Sequence, residues 1–323
     1  MARWGRLATF LVLFSSAHFF LSLDSPLGAQ QTGSAEKNSP LREADRAYHQ
    51  GNLDKSVRLY EQAVRDNPKD AAAFLSLGST YAEKGDFDKA AEALKKAAAL
   101  DPKRADIYID LSIVYAEKED FDRAVSYAQK AVKAAPKRAS AYHTLGLAYE
   151  GMGEVGKAIA TYEKGLQADP KSSDLYLTLG NLYGKQRDFD NAVKVYEKAI
   201  KSNPKNTFAY SNIAYVWEEQ GKPDRALGYL IKATEVDSKD EVAWYDLGVA
   251  HTKKGDTKKS IECYEKSLLA NPQYYKAALS LAMAYEKDRK LEKAAEFYVK
   301  AMSLTDDPRL KEVILRQITR ASE

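Results

Sequence analysis

Apolar residues in this chain keep a helical spacing that restarts every 34 residues. Counting from 1 at Ala71, the residues Phe74, Leu77, Gly78 and Tyr81 fall at positions 4, 7, 8 and 11. That is i, i+3, i+4, i+7, one stripe of an α-helix. Gly85, Asp86 and Phe87 then predict a short polar turn with one apolar anchor. Ala90, Leu94 and Ala97, at positions 20, 24 and 27, predict a second helix. Asp101-Pro102 ends it, because the residue before a proline avoids the α conformation. Each unit therefore reads as helix, turn, helix.

Prolines mark the period. Pro68, Pro102, Pro136, Pro170 and Pro204 stand 34 residues apart, and Ser238, Pro272 and Asp306 take the next slots. Positions 8, 20 and 27 carry only alanine, glycine or serine in all eight units. Small residues at these points let two helices approach closely. Glycine within a helix costs about 1 kcal/mol relative to alanine, so Gly78, Gly146, Gly180 and Gly248 at position 8 imply close packing that offsets the cost.

The pattern resembles the tetratricopeptide repeat family. Unit four shows it fully, with Tyr142, Leu145, Gly146, Tyr149, Gly153, Ala158, Tyr162 and Pro170, and the resemblance spans residues 37–308. It implies an all-α fold, a right-handed superhelical solenoid of eight antiparallel helix pairs. It also implies a surface that binds segments of other proteins on its concave side. The array is expected over 39–308, with a C-terminal capping helix over 309–323 whose Leu310, Val313, Ile314 and Ile318 keep helical spacing. The first unit is degraded, Pro40 and Glu43 standing where its siblings carry apolar residues, as suits a solvated end.

Residues 1–29 follow a different pattern. Arg3 and Arg6 precede the apolar run Leu7 to Leu23, and Pro26-Leu27-Gly28-Ala29 precedes Gln30. This predicts a secretory signal peptide cleaved after Ala29, followed by a polar, flexible linker over 30–38. The alternative is an uncleaved anchor, since 17 residues is the lower limit for a spanning helix. The first reading makes the mature chain exported, periplasmic or extracellular if bacterial, with no membrane attachment. The second makes it a membrane-anchored accessory subunit of a larger enzyme or envelope complex.

Charge and chemistry narrow the classes further. Forty-nine basic and 46 acidic residues are too balanced, and too evenly spread, to argue for nucleic acid. Cys263 is the only cysteine, so no intramolecular disulfide is expected. The run GMGEVG spells G-x-G-x-x-G through Gly151, Gly153 and Gly156, but it crosses a helix–turn–helix rather than following a strand. His49, His143 and His251 belong to units one, four and seven and are not expected to converge. No catalytic, metal-binding or cofactor-binding constellation is predicted, and the chain is expected not to be an enzyme.

Recognition is expected on the first helix of each unit. With positions 4, 7, 8 and 11 packed inward, positions 2, 5, 9 and 12 form another stripe. The resemblance places this stripe in the binding groove. It carries Phe208, Tyr215, Tyr245 and Val249 among many apolar residues, of which close to half are expected to be buried between neighbouring units. The three aromatics are the anchor candidates. Asp106, Asp110, Glu117, Glu150, Asp174 and Asp246 would give the groove an acidic cast. The expected partner is a protein or peptide segment with apolar or aromatic residues and basic ones. Family members that clamp a C-terminal carboxylate use asparagines at the places of Asn181 and Asn212. Here Leu177, Val242 and Asp246 replace the clamp's cations, which excludes that mode. The two asparagines remain candidates for bonding a peptide backbone.

Overall fold

A computed structural model describes residues 40–321, so the predicted signal peptide and linker lie outside the described residues. Every regular element among the described residues is a helix. The chain divides into two compact bodies, one ending at Pro170 and the other starting at Lys171, and this division falls on a repeat boundary.

The first body pairs α1 (Pro40–His49) with α2 (Leu53–Asp66) and α3 (Ala71–Glu83) with α4 (Phe87–Leu100). It then pairs α5 (Ala105–Glu117) with α6 (Phe121–Ala134) and α7 (Ala139–Gly151) with α8 (Val155–Ala168). The second body repeats the plan with α9 (Ser173–Lys185) and α10 (Phe189–Ser202), and α11 (Thr207–Glu219) and α12 (Pro223–Val236). α13 (Glu241–Lys253) and α14 (Thr257–Ala270), then α15 (Tyr275–Lys287) and α16 (Leu291–Ser303), complete it. A last helix, α17 (Pro308–Ala321), packs on α16 and buries Ile314 completely.

The local code is the same in each unit. Position 15 takes a left-handed backbone throughout, with φ between 57° and 81°, in Gly51, Gly85, Gly153, Gly221 and Gly255 but also in Glu119, Arg187 and Arg289. The next residue is the N-cap of the second helix, and in five of the eight units its side chain closes the cap. Asn52, Asp86, Asp120, Asp188 and Asp256 each accept a hydrogen bond from the backbone N–H three residues on. All four second helices of the first body end two residues before the proline slot, as at Leu100 before Pro102. An aromatic at position 4 reaches back to the carbonyl of that slot: Tyr108 to Pro102 (3.0 Å), Tyr142 to Pro136 (2.9 Å) and Trp244 to Ser238 (2.9 Å).

Position 8 explains the pairing distance. A Cβ built on Gly180 or Gly248 would stand 2.5 Å from the ring of Tyr196 or Tyr264, the residue at position 24 of the same unit. Gly146 meets Tyr162 in the same way, still more closely. The second-helix tyrosine lies across the bare backbone of the first helix. Its hydroxyl emerges on the far side, donating to Glu150 from Tyr162 and to Asn181 from Tyr196 (both 2.6 Å). Between neighbouring units, Lys84–Asp54, Lys118–Asp88 and Lys254–Asp224 pair 30 residues apart. The exposed aspartates make these weak contributors.

Candidate functional site

All six predicted contact residues belong to the second body, on the first helices α9, α11 and α13. Phe208 opens the stripe of α11 and is 55% exposed. Tyr215 and Val249 are half-buried. Tyr245 is also half-buried and is locked in an aromatic group. Its ring meets Tyr274 edge to face with centroids 5.5 Å apart, and Tyr264 at 5.9 Å. Tyr245 and Val249 both pack on the core shared by α13 to α17. Truncating Tyr245 therefore removes core packing as well as surface. Met283, at position 9 of α15, is 57% exposed and was outside the six. It borders a cavity of about 450 Å³ between α15 and α17, lined by Leu279, Tyr298, Val313 and Ile314 with Glu286, Lys287 and Gln317. The periodic register marked its stripe, and the capping helix expected from the spacing of Val313 and Ile314 is the element that walls it.

Asn181 and Asn212 come together, with each other. The Asn181 carbonyl oxygen accepts from the Tyr196 hydroxyl (2.6 Å) and from the Asn212 amide (3.0 Å). This is one link of a polar seam joining position 6 of one unit to position 5 or 9 of the unit before. Ser79 donates to Asp110 (2.5 Å) in the first body. In the second, Ser211 bonds Asp246, and Ser280 meets Tyr245.

The acids assigned to the groove are less free than their number implies. Asp106 pairs with Arg138 (2.5 Å) and Arg104 (3.6 Å). Loss of hydration in the seam pushes Asp110 up to about 6 and Asp246 up to about 7, so near neutral pH Asp110 is largely ionised and Asp246 only partly so. Glu218 is paired with Lys253. The acidic cast of the groove is thus weaker than composition suggests and is concentrated in few residues.

The other chemical signals resolve into packing. Gly151 is crowded by the Phe121 ring and Gly153 forms the left-handed turn, which accounts for the first two glycines of GMGEVG. His143 lies 6.1 Å from the Tyr162 ring, and burial pushes it down to about 4. His251 is buried where sibling units carry tyrosine. Cys263 is buried and its thiol is pushed up to about 11 by that burial. Among the described residues no helix is long and apolar enough to cross a membrane.

Five family models, each described as tetratricopeptide repeat, match this chain. They cover residues 41–105 and 177–241, 81–148, 139–172, 242–274 and 277–312. The fold resembles that of yeast Tom70, with a TM-score of 0.71 and 19% identity over 94% of this chain and 68% of that one. It is also similar to Pseudomonas aeruginosa pilF, with a TM-score of 0.52 and 17% identity over 66% of this chain and 97% of that one. A chain of the APC/C hetero-tetramer Cut9–Hcn1 scores 0.51 at 15% identity, over 88% of this chain and 55% of that one. At these identities the likeness concerns the fold alone. Comparison with curated protein sequences finds no match.

Proposed function

The chain belongs to the tetratricopeptide repeat family, whose arrays are protein-interaction scaffolds, and from that premise we propose a specific role. It is a non-catalytic scaffold or adaptor, exported from the cytoplasm, that holds a segment of a partner protein on the first-helix stripe of its second body. In a bacterium that role falls in envelope assembly or secretion. The observation that carries the binding reading is the exposure of Phe208 (55%) and Met283 (57%) on the stripe whose other large apolar residues are at least half-buried. Solvated helix faces are normally polar, and exposed aromatics with unbranched thioethers are the side chains that dominate protein contacts. Export rests on the basic, apolar, small-residue order of residues 1–29.

Site-specific photocrosslinking tests the binding surface. A benzophenone amino acid replacing Phe208 is expected to give a discrete adduct in cells. The same group replacing Leu100, an exposed residue at the end of α4 in the other body, is expected to give none. Adducts at both sites, or at Leu100 alone, would remove the surface assignment. N-terminal sequencing of the mature chain separates the two readings of residues 1–29: a start at Gln30 supports cleavage and export, and an intact Met1 in the membrane fraction replaces it with the anchored alternative.

A further inference from the structure

Resting on that reading of the second-body groove, we propose that Asp246 recognises a cationic side chain, lysine or arginine, of the bound segment. Asp246 is at position 6 of α13, partly exposed in the seam with α11, where Ser211 is its hydrogen-bond partner. The neighbouring carboxylates are engaged. Glu218 pairs with Lys253. Asp240 accepts from the N–H groups of Val242 and Ala243 and from the Thr207 hydroxyl. Among the described residues no lysine or arginine lies within ion-pair distance of Asp246; Lys276 is the cation whose charge it feels.

Tyr245 and Tyr274 stand edge to face beside Asp246, close enough that its charge raises the pKa of both phenols. An ammonium or guanidinium placed at Asp246 gains a charge-assisted hydrogen bond. An acidic side chain would meet Asp246, Asp240 and Glu218. An apolar one would strip the remaining water from a carboxylate without replacing it. The chemistry ranks the three classes, with the cation first.

The preference carries a pH signature. In the free protein Asp246 is held up to about 7 by lost hydration, so a cation draws it into the ionised form. The other groups facing it are Glu218 on α11, Asp240 at the start of α13, Tyr245 on α13, Tyr274 just before α15 and Lys276 on α15. The tyrosines among them are shifted upward by burial and stay neutral across the range of interest.

A phage library of random 12-residue peptides, panned on the full chain and on its Asp246→Asn variant, tests the assignment. Peptides enriched on the unaltered chain are expected to share a lysine or arginine at one register. Replacing that residue by methionine is expected to weaken binding about tenfold or more at pH 8, and by less than about threefold at pH 5.5, where Asp246 is protonated. On the asparagine variant the replacement should be neutral at both. Enriched peptides with no common cation, or the same preference on the variant, overturn the proposal and leave the groove reading intact. No enrichment on either chain removes both. Carboxyl-carbon NMR on the unaltered chain gives an independent check. The Asp246 pKa must fall when an enriched peptide binds, and an unchanged value defeats the assignment even if the variant folds poorly.

Discussion

A single methyl group has opposite consequences at two glycines of this chain. Gly146→Ala places a Cβ in steric overlap with an edge carbon of the Tyr162 ring, whereas Gly228→Ala, on the exposed side of α12, meets nothing within 4 Å. Overpacking costs about 1–3 kcal/mol and the gain in helix propensity is about 1 kcal/mol. Gly146→Ala is therefore expected to destabilise by about 1 kcal/mol and Gly228→Ala to stabilise by up to about 1 kcal/mol, read from urea denaturation. Titratable residues make the second test at this scale. Asp110 and Asp246, held up to about 6 and about 7, bind protons more tightly folded than unfolded. Stability from this source is present below the unfolded pKa of about 4 and is lost as pH rises through 6 and 7. Asp246→Asn should raise stability at pH 8 by about 1–3 kcal/mol and have little effect at pH 4. His143, pushed down to about 4, runs the other way, its contribution disappearing as pH falls from about 6.5 towards 4. Denaturation midpoints across pH separate the two.

Helix pairs were legible because each boundary carries its own chemistry. The turn at position 15 needs a positive φ, the cap at 16 wants an acceptor, and the proline at 32 stops the second helix. Where the sequence departs from this code, the backbone does not. Glu119 holds the left-handed conformation with φ 57° although it has a Cβ. Glu119→Gly is expected to raise the thermal midpoint of the chain, worth about 0.5–1 kcal/mol after the larger unfolded-state entropy of glycine is counted. Asp188→Ala removes the acceptor at the start of α10 and should cost about 1 kcal/mol. A change of the same size in both variants, with one sign, would mean the turn and the cap are not separately fixed.

At the scale of the molecule, the 34-residue period gave the order of the helices and their pairing, since each element is local in sequence. The binding stripe was only partly legible. Its register followed from the period, but Asn181 and Asn212 use each other, and Tyr245 is held by Tyr274, through contacts made across units. A pattern that treats each unit alone cannot register such contacts. The division at Pro170 leads to a prediction of its own. Fragments 40–170 and 171–323 should each unfold cooperatively by circular dichroism, and binding should stay with the second. Activity carried by the first fragment would relocate the site. The glycine–tyrosine seats described within the pairs also bear on how such arrays can be rebuilt. Tyr162 fits because Gly146 is bare, whereas in unit three Ser112 bonds back to the Ala124 carbonyl (2.8 Å) opposite a small Ala128. Unit four's second helix moved alone onto unit three's first helix would bring a ring to a hydroxymethyl, and the reverse exchange would leave a void. The transferable cassette is the whole helix pair, so insertions and deletions that preserve the array should arrive in multiples of 34 residues.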